Sequence, residues 1–464
     1  MAPMKNVGHA VIIGASLGGL FAARVLADTF PTVTVMDRDS LPDEPMTRHC
    51  TPQSKHVHIL LARGREIIDE LFPGFTAQMI AAGCPTGDCQ SEIGFHNDGR
   101  RLYRSPSGLV ALGASRPLIE HTIRARVAAL PGVKIVPRTQ VEALTTNTAR
   151  NRVTGVQIRS ADGSRAIVAA DLVIDASGRG SRSPVWLSEL GYTPPEQERV
   201  KVNITYLTRH YHREPHHLGG DIGIGIGAYP GQLRGGYALA RENNQITITL
   251  TGMFGTEAQS TEVGMGGHAD TLTSRKIAEI IRTAQPLDTP VKMRYPASIR
   301  NRYEKLRSFP AGYLVVADAL CSFNPVYGQG MTVAALEALL LQQVLAAGMD
   351  DLARRFFRKA AKHIDGPWTI ATGGDLRFPE AEGKRTVMMK LINAYLARFY
   401  VAAETDPILG TAFLRVANLI DPPSRLLAPG IMLRMLRSQF RAVAAPPTST
   451  TRPVPGASTT GDHN

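Results

Sequence analysis

The first forty residues carry the pattern that most constrains the fold. A short apolar run at residues 9–13 (HAVII) is followed by a Gly-rich turn at residues 14–19 (GASLGG) and by a helix predicted over residues 20–28. A second, β-branched run at residues 32–36 ends at Asp37. Strand, Gly-rich turn, helix, strand and acid in this order form the dinucleotide-binding fingerprint of a βαβ unit. The alternative interpretation is an ordinary βαβ turn that only needs glycine.

Each position of this turn has a physical role in such a site. Gly14 permits the tight turn out of the strand, and Gly19 keeps the helix close to the sheet. The helix N-terminus directs free N–H groups and a positive dipole end at a pyrophosphate. Ser16 replaces the middle glycine of the fingerprint, and its hydroxyl could donate to a phosphate. We therefore predict cofactor binding by Gly14, Ala15, Ser16, Leu17, Gly18 and Gly19, with Asp37 and the adjacent Arg38 at a ribose.

A similar arrangement recurs near residue 318. An apolar run at residues 313–317 (YLVVA) delivers Asp318, and the segment 321–332 (CSFNPVYGQGMT) then opens a helix predicted over residues 333–347. This block resembles the second FAD motif of flavin-dependent monooxygenases with the p-hydroxybenzoate-hydroxylase fold. The resemblance implies that Asp318 binds the ribityl chain and that the loop backbone at Gly328, Gly330 and Met331 faces the flavin. Ala317 stands where the family usually has glycine.

Other stretches extend the resemblance to residues 9 to about 345. Residues 48–61 (RHCTPQSKHVHILL) are similar to a segment of the subgroup that contains polyketide-pathway flavin epoxidases, and residues 300–304 (RNRYE) precede the second FAD motif as they do there. Residues 115–120 (SRPLIE) resemble the family's Arg-containing helix start, and residues 171–182 (DLVIDASGRGSR) its D-A-S/T-G-R-G-S variant. The resemblance implies that Arg116, together with Arg48, lies near the FAD phosphates.

This resemblance implies a FAD-dependent monooxygenase, which would insert one oxygen atom of O₂ into a small apolar organic substrate through a flavin C4a-hydroperoxide. Hydroxylation of a phenol benefits from a side-chain base. The sequence offers no convincing base, which together with the epoxidase-like segment at residues 48–61 favours epoxidation of an apolar polyene or terpene-like molecule in secondary metabolism. Hydroxylation is the other oxygen transfer that stays open. Alternatives are a FAD-dependent reductase of the geranylgeranyl-reductase type and a non-catalytic FAD-binding protein. A halogenase is disfavoured, because Trp186 and Trp368 do not form the paired-Trp motif.

The electron donor is expected to be NAD(P)H, acting directly or through a separate flavin reductase. The family's aromatic hydroxylases carry an Asp-Gly pair that supports NADPH binding, and this chain has Asp175-Ala176-Ser177-Gly178 instead. That difference puts internal NADPH binding in doubt. Asp175 itself could be a catalytic acid, but a role at the end of a buried strand, orienting the turn at Gly178, is favoured.

The fold class predicted is α/β, with a Rossmann-like FAD domain of parallel strands and helices interleaved with an antiparallel substrate domain. The expected FAD domain comprises residues 1–65, 110–200 and 300–347, and the substrate domain residues 66–109 and 201–299. Strict alternation at residues 245–251 (QITITLT) indicates a half-buried strand of that second sheet. A helical region, residues 348–443, and a disordered tail, residues 444–464, complete the prediction.

The formal charge is +12, from 52 Lys and Arg against 40 Asp and Glu, and seven of the excess positive charges follow residue 350. No Lys/Arg-rich run stands out before that point, which disfavours nucleic-acid binding. Residues 431–443 (IMLRMLRSQFRAV) predict a short basic amphipathic helix whose apolar face includes Met432, Leu433, Leu436 and Phe440. Packing on the domain surface is the default interpretation, and peripheral contact with an anionic membrane is the alternative.

Composition also argues against several classes of site. The four cysteines form no Cys-x-x-Cys pair, so neither a disulfide framework nor a zinc site is expected, and a reducing cytoplasm is the simplest compartment. Residues 1–9 do not resemble a signal peptide, and no run of 18 apolar residues exists. The alternating pair His56 and His58 is expected to pack or to lie near the flavin. The cluster of His210, His212, His216 and His217 is expected in a surface loop, with metal binding as its alternative.

Overall fold

The computed structural model describes residues 8–444, so the predicted tail lies outside the described residues except for its first residue. Nineteen strands are found within that range. In chain order they are β1 (His9–Ile13), β2 (Thr32–Met36), β3 (Ile59–Leu60), β4 (Thr86–Asp88), β5 (Ile93–Asn97), β6 (Arg100–Arg101), β7 (Val110–Gly113), β8 (Val133–Val136), β9 (Gln140–Thr146), β10 (Val153–Arg159), β11 (Arg165–Ala169), β12 (Leu172–Asp175), β13 (Gln197–His212), β14 (Gly223–Ile226), β15 (Arg234–Arg241), β16 (Gln245–Met253), β17 (Val291–Asn301), β18 (Tyr313–Val315) and β19 (Cys321–Ser322).

Twelve α-helices lie in the same range of the chain. They are α1 (Leu17–Leu26), α2 (Ala62–Leu71), α3 (Phe75–Ala81), α4 (Arg116–Ala128), α5 (Ser183–Glu189), α6 (Glu262–Asp270), α7 (Lys276–Thr283), α8 (Gly330–Leu345), α9 (Leu352–Asp375), α10 (Val387–Ala403), α11 (Pro407–Ala417) and α12 (Pro429–Ala444). None of the helices within residues 8–444 combines the length and the apolar character that a membrane-spanning helix requires.

The Rossmann-like part is a five-stranded sheet in the order β18-β12-β1-β2-β8, with every neighbouring pair parallel. Ala10, Val11 and Ile12 of its central strand are completely buried, because both faces of the sheet are covered, with α1 and the three-stranded sheet of β9, β10 and β11 in the same core. Helix α1 packs against α8, so the two predicted cofactor motifs lie side by side. The predicted α/β class with a parallel sheet is confirmed.

The second large sheet has eight strands in the order β19-β17-β13-β16-β15-β14-β5-β6. The alternating segment predicted as a half-buried strand forms β16, which pairs antiparallel with β13 and β15. The prediction of half-burial is wrong, because every residue of β16 after Gln245 is buried, the threonines as well as the apolar side chains. The segment at residues 219–227 (GGDIGIGIG) contains β14, where Gly225 lies against the ring of Tyr237. This sheet is mixed, since β14 pairs parallel with β5.

Helices α9 to α12 form the C-terminal region. Helix α9 packs on α8, while α10, α11 and α12 pack on one another. Their buried side chains, including Phe399 and Leu409, share a hydrophobic cluster with Leu102 and Ala111 of the β3–β7 region. The helical region thereby closes one side of the space between the two large sheets.

Both cofactor-motif helices begin three residues earlier than predicted. Helix α1 begins at Leu17 and α8 at Gly330. Their first turns contain Gly18, Gly19 and Gly330, which are poor helix formers and conceal the start of the helical pattern. The predicted strand at residues 313–317 ends at Val315, because Ala317 has a left-handed backbone (φ +56°).

Candidate functional site

A single cavity of about 1260 Å³ lies where the two sheets and the C-terminal helices meet. Its volume exceeds the roughly 300–1,000 Å³ of a pocket for one small molecule, so it has room for a dinucleotide and a second ligand. Twelve predicted site residues line it: Gly14, Ser16, Leu17, Gly18, Asp37, Arg38, Arg48, Arg116, Asp318, Gly328, Gly330 and Met331. The other two, Ala15 and Gly19, lie in the same turn without lining the cavity.

The β1–α1 turn approaches neighbouring backbone so closely that it needs glycine. Gly14 has φ +105°, and a Cβ there would lie 2.6 Å from the carbonyl oxygen of Ala176. A Cβ at Gly18 would lie 2.6 Å from that of Ala317, and one at Gly19 would clash with the carbonyl of Gly14. The turn is therefore shaped to bring the N-terminus of α1 against the strand end, where a pyrophosphate would lie.

A buried ion cluster supports the wall beside this turn. Asp37 accepts the backbone N–H groups of Ala15 (2.7 Å) and Asp39 (2.8 Å), one on each carboxylate oxygen. The guanidinium of Arg48, whose side chain is only 2% exposed, lies 2.6 Å from Glu120 and 3.4 Å from Asp37. Burial alone would lower the pKa of Arg48, but these carboxylates raise it. Contacts of Asp37 with a ribose and of Arg48 with a phosphate stay predictions.

Glu120 also forms an ion pair with Arg116, the second arginine predicted to lie near the phosphates. The Ser16 hydroxyl, expected to donate to a phosphate, donates instead to Glu120 at 2.8 Å and accepts from Arg116 at 2.9 Å. Burial lowers the pKa of Arg116, while Glu120 and Asp318 oppose that shift. The Nε of Arg116 is buried and has no hydrogen-bond partner among residues 8–444. A buried, unpaired guanidinium N–H on the cavity wall fits an anionic group such as the FAD pyrophosphate.

The second motif supplies Asp318 and the N-terminus of α8. Burial raises the pKa of Asp318, and Arg116 and Arg179 oppose that shift. The preceding Ala317, in its left-handed conformation, donates its N–H to the carboxylate of Glu337 at 2.6 Å. Within the described part of the chain, the buried Oε1 of Gln329, at the start of α8, has no partner. A hydrogen-bond donor on the polar edge of a flavin that lies against this loop would satisfy this oxygen.

Asp175 is occupied by structural contacts. It is fully buried at the end of β12 and accepts hydrogen bonds from the hydroxyls of Ser177, Ser181 and Ser183. Its neighbour in the turn, Arg179, lies over the ring of Tyr295, 4.1 Å from the centroid. This arrangement orients the turn at Gly178, as the sequence favoured, and does not present Asp175 to the cavity.

His56 and His58 lie on the cavity wall in neutral form. Burial lowers the pKa of His56 to about 4 and that of His58 to about 3. His56 bonds to the hydroxyl of Thr208 at 2.7 Å, and His58 bonds to the carbonyl of His56 at 2.9 Å. Of the four histidines expected in a surface loop, His210 and His212 lie instead at the end of strand β13. His210 pairs there with Asp288 at 2.5 Å. Across residues 8–444, no three His, Cys, Asp or Glu side chains are grouped to hold a metal ion.

The remainder of the cavity is mainly apolar and aromatic. It is lined by side chains of the second sheet and of the C-terminal helices, among them Ile204, Tyr206, Ile224, Tyr237, Met253, Met293, Ile370, Phe378, Ile392, Leu396, Tyr400, Phe413, Leu426 and Leu427. Burial raises the pKa of Tyr206, of Tyr237 and, to about 12, of Tyr400, so these hydroxyls stay neutral. Such a surface suits an uncharged, apolar molecule.

Sequence reasoning missed two acidic residues of this site. Glu120 follows Arg116 by four residues, and this i, i+4 spacing on one helix was the available signal. Asp375, buried at the end of α9, follows the pair Gly373-Gly374. Two glycines inside a helix are unusual and could have marked a close approach.

Helix α12 contacts the protein through a different stripe from the one expected. Ile431 and Met435 are buried, whereas Met432, Leu433 and Leu436 are between 39% and 54% exposed. The side chain of Phe440 falls outside the described residues. The predicted helix is thus confirmed, but much of its apolar face points to solvent.

Comparisons with known proteins are consistent with this architecture. No family model matches the chain. Protein Rv3254 of Mycobacterium tuberculosis is 36% identical over 427 residues, which cover 89% of this chain and 90% of that protein. The flavin-dependent brominase Bmp2 has a similar structure, with a TM-score of 0.65, 15% identity and coverage of 94% of this chain and 100% of Bmp2. The oxygenase of 2-methyl-3-hydroxypyridine-5-carboxylic acid gives a TM-score of 0.58, 17% identity and coverage of 89% and 98%. At these identities the solved structures establish the fold and nothing beyond it.

Proposed function

The chain belongs to the same family as Protein Rv3254 and has the fold of the FAD-dependent monooxygenases related to p-hydroxybenzoate hydroxylase, and from this premise we propose that it is a FAD-dependent monooxygenase. It would transfer one oxygen atom of O₂ to a small apolar organic substrate. The observation that carries the proposal is the shared cavity. One end is formed by two Gly-rich helix starts with buried arginines, and the other end is apolar and closed by helices.

The chain's own residues would hold the cofactor as follows. The N-terminus of α1, with Arg116 beside it, would bind the pyrophosphate, and Asp318 would bind the ribityl hydroxyls. The N-terminus of α8, from Gly330, would stabilise negative charge on the flavin ring. Bound FAD, once reduced, supplies the chemistry of oxygen activation. The protein excludes water and fixes the substrate against the ring.

The apolar end supports the finer proposal of alkene epoxidation. Transfer of an electrophilic oxygen atom to an alkene needs no side-chain base, and the hydroxyls of Tyr206 and Tyr237 on the cavity wall stay neutral because burial raises their pKa values. An apolar polyene or terpene-like substrate matches these walls in polarity. The cytoplasm is the compartment proposed for this reaction.

Reducing equivalents are proposed to come from NAD(P)H through a separate flavin reductase. Asp175 is enclosed by three serine hydroxyls, so it offers nothing to a nicotinamide. The prediction is that, without O₂, the FAD bound to the protein is reduced by NADH much faster when a flavin reductase is added. Equal rates with and without the reductase would favour direct binding of the nicotinamide cofactor.

Peripheral membrane contact is proposed for the C-terminal helices. Helices α10 and α12 pack together and expose Met388, Leu391, Leu433 and Leu436, with Arg437 exposed on α12. Exposed apolar side chains beside cations fit an anionic lipid surface. Vesicles containing phosphatidylserine should sediment the protein better than phosphatidylcholine vesicles, and Leu433→Glu should abolish the difference. The matched control is Val263→Glu, at an exposed apolar residue of α6.

The function is tested with FAD-loaded protein, NADH, a flavin reductase and a panel of polyenes that includes farnesol. We expect consumption of O₂ and formation of an oxygenated product detected by mass spectrometry. Addition of hydrogen to the polyene without consumption of O₂ would indicate a reductase of the geranylgeranyl-reductase type. Stable FAD binding without any turnover would indicate a non-catalytic FAD-binding protein.

A further inference from the structure

Asp375 is a buried acid on the wall of the cavity that the proposed chemistry does not use. It is the last residue of α9, is 1% exposed and lies among the lining residues. Acids are rarely this buried unless they are paired or hydrogen-bonded. Its position therefore calls for a physical explanation.

One oxygen of Asp375 is fully engaged. Oδ1 accepts a hydrogen bond from the side-chain amide of Asn324 at 2.9 Å and another from the hydroxyl of Tyr327 at 3.0 Å. The hydroxyl of Tyr206 donates in turn to Asn324 at 2.7 Å. Gly374 is needed for this arrangement, because a Cβ there would clash with the Tyr327 hydroxyl.

The second carboxylate oxygen of Asp375 is free to accept a hydrogen bond. Oδ2 of Asp375 is buried and has no hydrogen-bond partner in the part of the chain that the structure describes. An unpaired polar atom in such surroundings is costly, and a ligand group in the cavity would satisfy it. The open oxygen thus marks a position for one hydrogen bond within a largely apolar chamber.

The surroundings of Asp375 favour an uncharged ligand group. Burial raises the pKa of Asp375 to about 7, against the opposing bonds from Asn324 and Tyr327. The nearby Arg377 is paired with Asp98 at 2.8 Å, so its charge is already compensated. Burial keeps the hydroxyls of Tyr206, Tyr237, Tyr327 and Tyr400 neutral, because it raises their pKa values. Asp375 is the group in this cluster that changes charge near neutral pH.

We propose that Asp375 is a substrate-binding residue that recognises a hydroxyl group on an otherwise apolar substrate. A hydroxyl can accept a hydrogen bond from the neutral acid and donate one to the carboxylate, so it satisfies Oδ2 in both states. A substrate carboxylate would be repelled by the ionised form. This inference rests on the proposed function, in that it treats the cavity as the substrate site, and it narrows the substrate class to apolar alcohols.

The test compares farnesol with farnesyl methyl ether, which can accept but cannot donate a hydrogen bond. Binding is measured by calorimetry on the oxidised, FAD-loaded protein without a reductant, so no turnover is needed. Above neutral pH the ionised Asp375 only accepts, and farnesol should bind about tenfold more tightly than the ether. Below neutral pH the protonated acid donates to the oxygen of either ligand, so the ratio of the two dissociation constants should fall towards one.

Asp375→Asn keeps the shape of the side chain and removes its ionisation. With the new amide group donating into the cavity, the variant should bind farnesol and the ether about equally at every pH. Tyr327→Phe is the matched control: it leaves Oδ2 open but removes a hydrogen bond that stabilises the carboxylate. This variant should therefore still prefer farnesol to the ether, and the pH above which that preference appears should be higher than in the wild type.

Equal binding of alcohol and ether by the wild type above neutral pH would overturn the proposal, as would an unchanged preference in Asp375→Asn. These outcomes are distinct from a failure of the proposed function. FAD binding without oxygen transfer would contradict the monooxygenase, while the binding comparison on the FAD-loaded protein would still report on Asp375.

Discussion

Replacement of Glu337 by glutamine should change how the stability of the protein depends on pH. Glu337 lies in α8, is 2% exposed and accepts the backbone N–H of Ala317 through Oε2. Its Oε1 has no partner among residues 8–444. Burial, with a further contribution from the charge of Asp318, raises its pKa from 4.5 to about 8, against the bond from Ala317.

The sign follows from proton binding. Between about pH 4.5 and pH 8 the folded protein holds a proton on Glu337 that the unfolded chain has released, so the free energy of unfolding falls as pH rises through this window. Each unit of pKa difference corresponds to about 1.4 kcal/mol, which gives about 5 kcal/mol across the window and about 4 kcal/mol between about pH 5 and pH 8. Glutamine accepts the same Ala317 N–H and does not titrate.

The assay is the thermal midpoint of the FAD-loaded wild type and of Glu337→Gln, measured from about pH 5 to about pH 8. An unfolding entropy of about 2 cal/mol/K per residue converts 4 kcal/mol into about 4 °C for a chain of this length. As the pH rises from about 5 to about 8, the thermal midpoint of the glutamine variant should therefore rise by about 4 °C relative to that of the wild type. Parallel pH profiles would refute the reasoning, because they would mean that Glu337 titrates normally.

Three further perturbations test the cofactor end of the cavity. Asp318→Ala should lose FAD or bind it much more weakly, measured by flavin absorbance after gel filtration, and full FAD occupancy would remove Asp318 from the ribityl site. Ala317→Gly should raise the free energy of unfolding by about 1 kcal/mol in urea, since glycine adopts φ +56° without strain; a loss of stability would speak against strain there. Glu120→Ala should cost about 3–5 kcal/mol by leaving Arg48 buried without its nearest partner, whereas the surface control Glu404→Ala, which removes an exposed ion pair, should cost under about 1 kcal/mol.

The sequence was sufficient for the local motifs. The strands at residues 9–13 and 32–36 are found with those bounds, because short β-branched runs between turns leave few alternatives. Ser115 caps helix α4 by accepting the N–H of Leu118, and Arg116 follows at the predicted helix start. These features depend on residues near one another in the chain.

Features that depend on distant residues were not predictable. Glu120 could be seen beside Arg116, but its pairing with Arg48, 72 residues away, requires the fold. The partners of Asp375 come from the loop at Asn324 and Tyr327, 51 and 48 residues earlier in the chain, respectively. A single sequence gives no signal for such a contact, so the acid in the substrate half of the cavity stayed hidden.

The exposed stripe of α12 shows the same limit. Helical periodicity grouped Met432, Leu433 and Leu436 on one face, and packing was the default for that face. The structure instead buries Ile431 and Met435, because the neighbouring helix α10 approaches from that side. Periodicity identifies an apolar face but does not decide which part of it a neighbour covers.

The most direct test of the central claim is a single turnover under isotopically labelled O₂. FAD-loaded protein is reduced chemically without oxygen, mixed with the polyene panel and then exposed to the labelled gas. A monooxygenase places one labelled oxygen atom in the product, and Asp318→Ala, which should lack FAD, gives none. Products that gain hydrogen and carry no label, or the absence of any labelled product across the panel, would contradict the account.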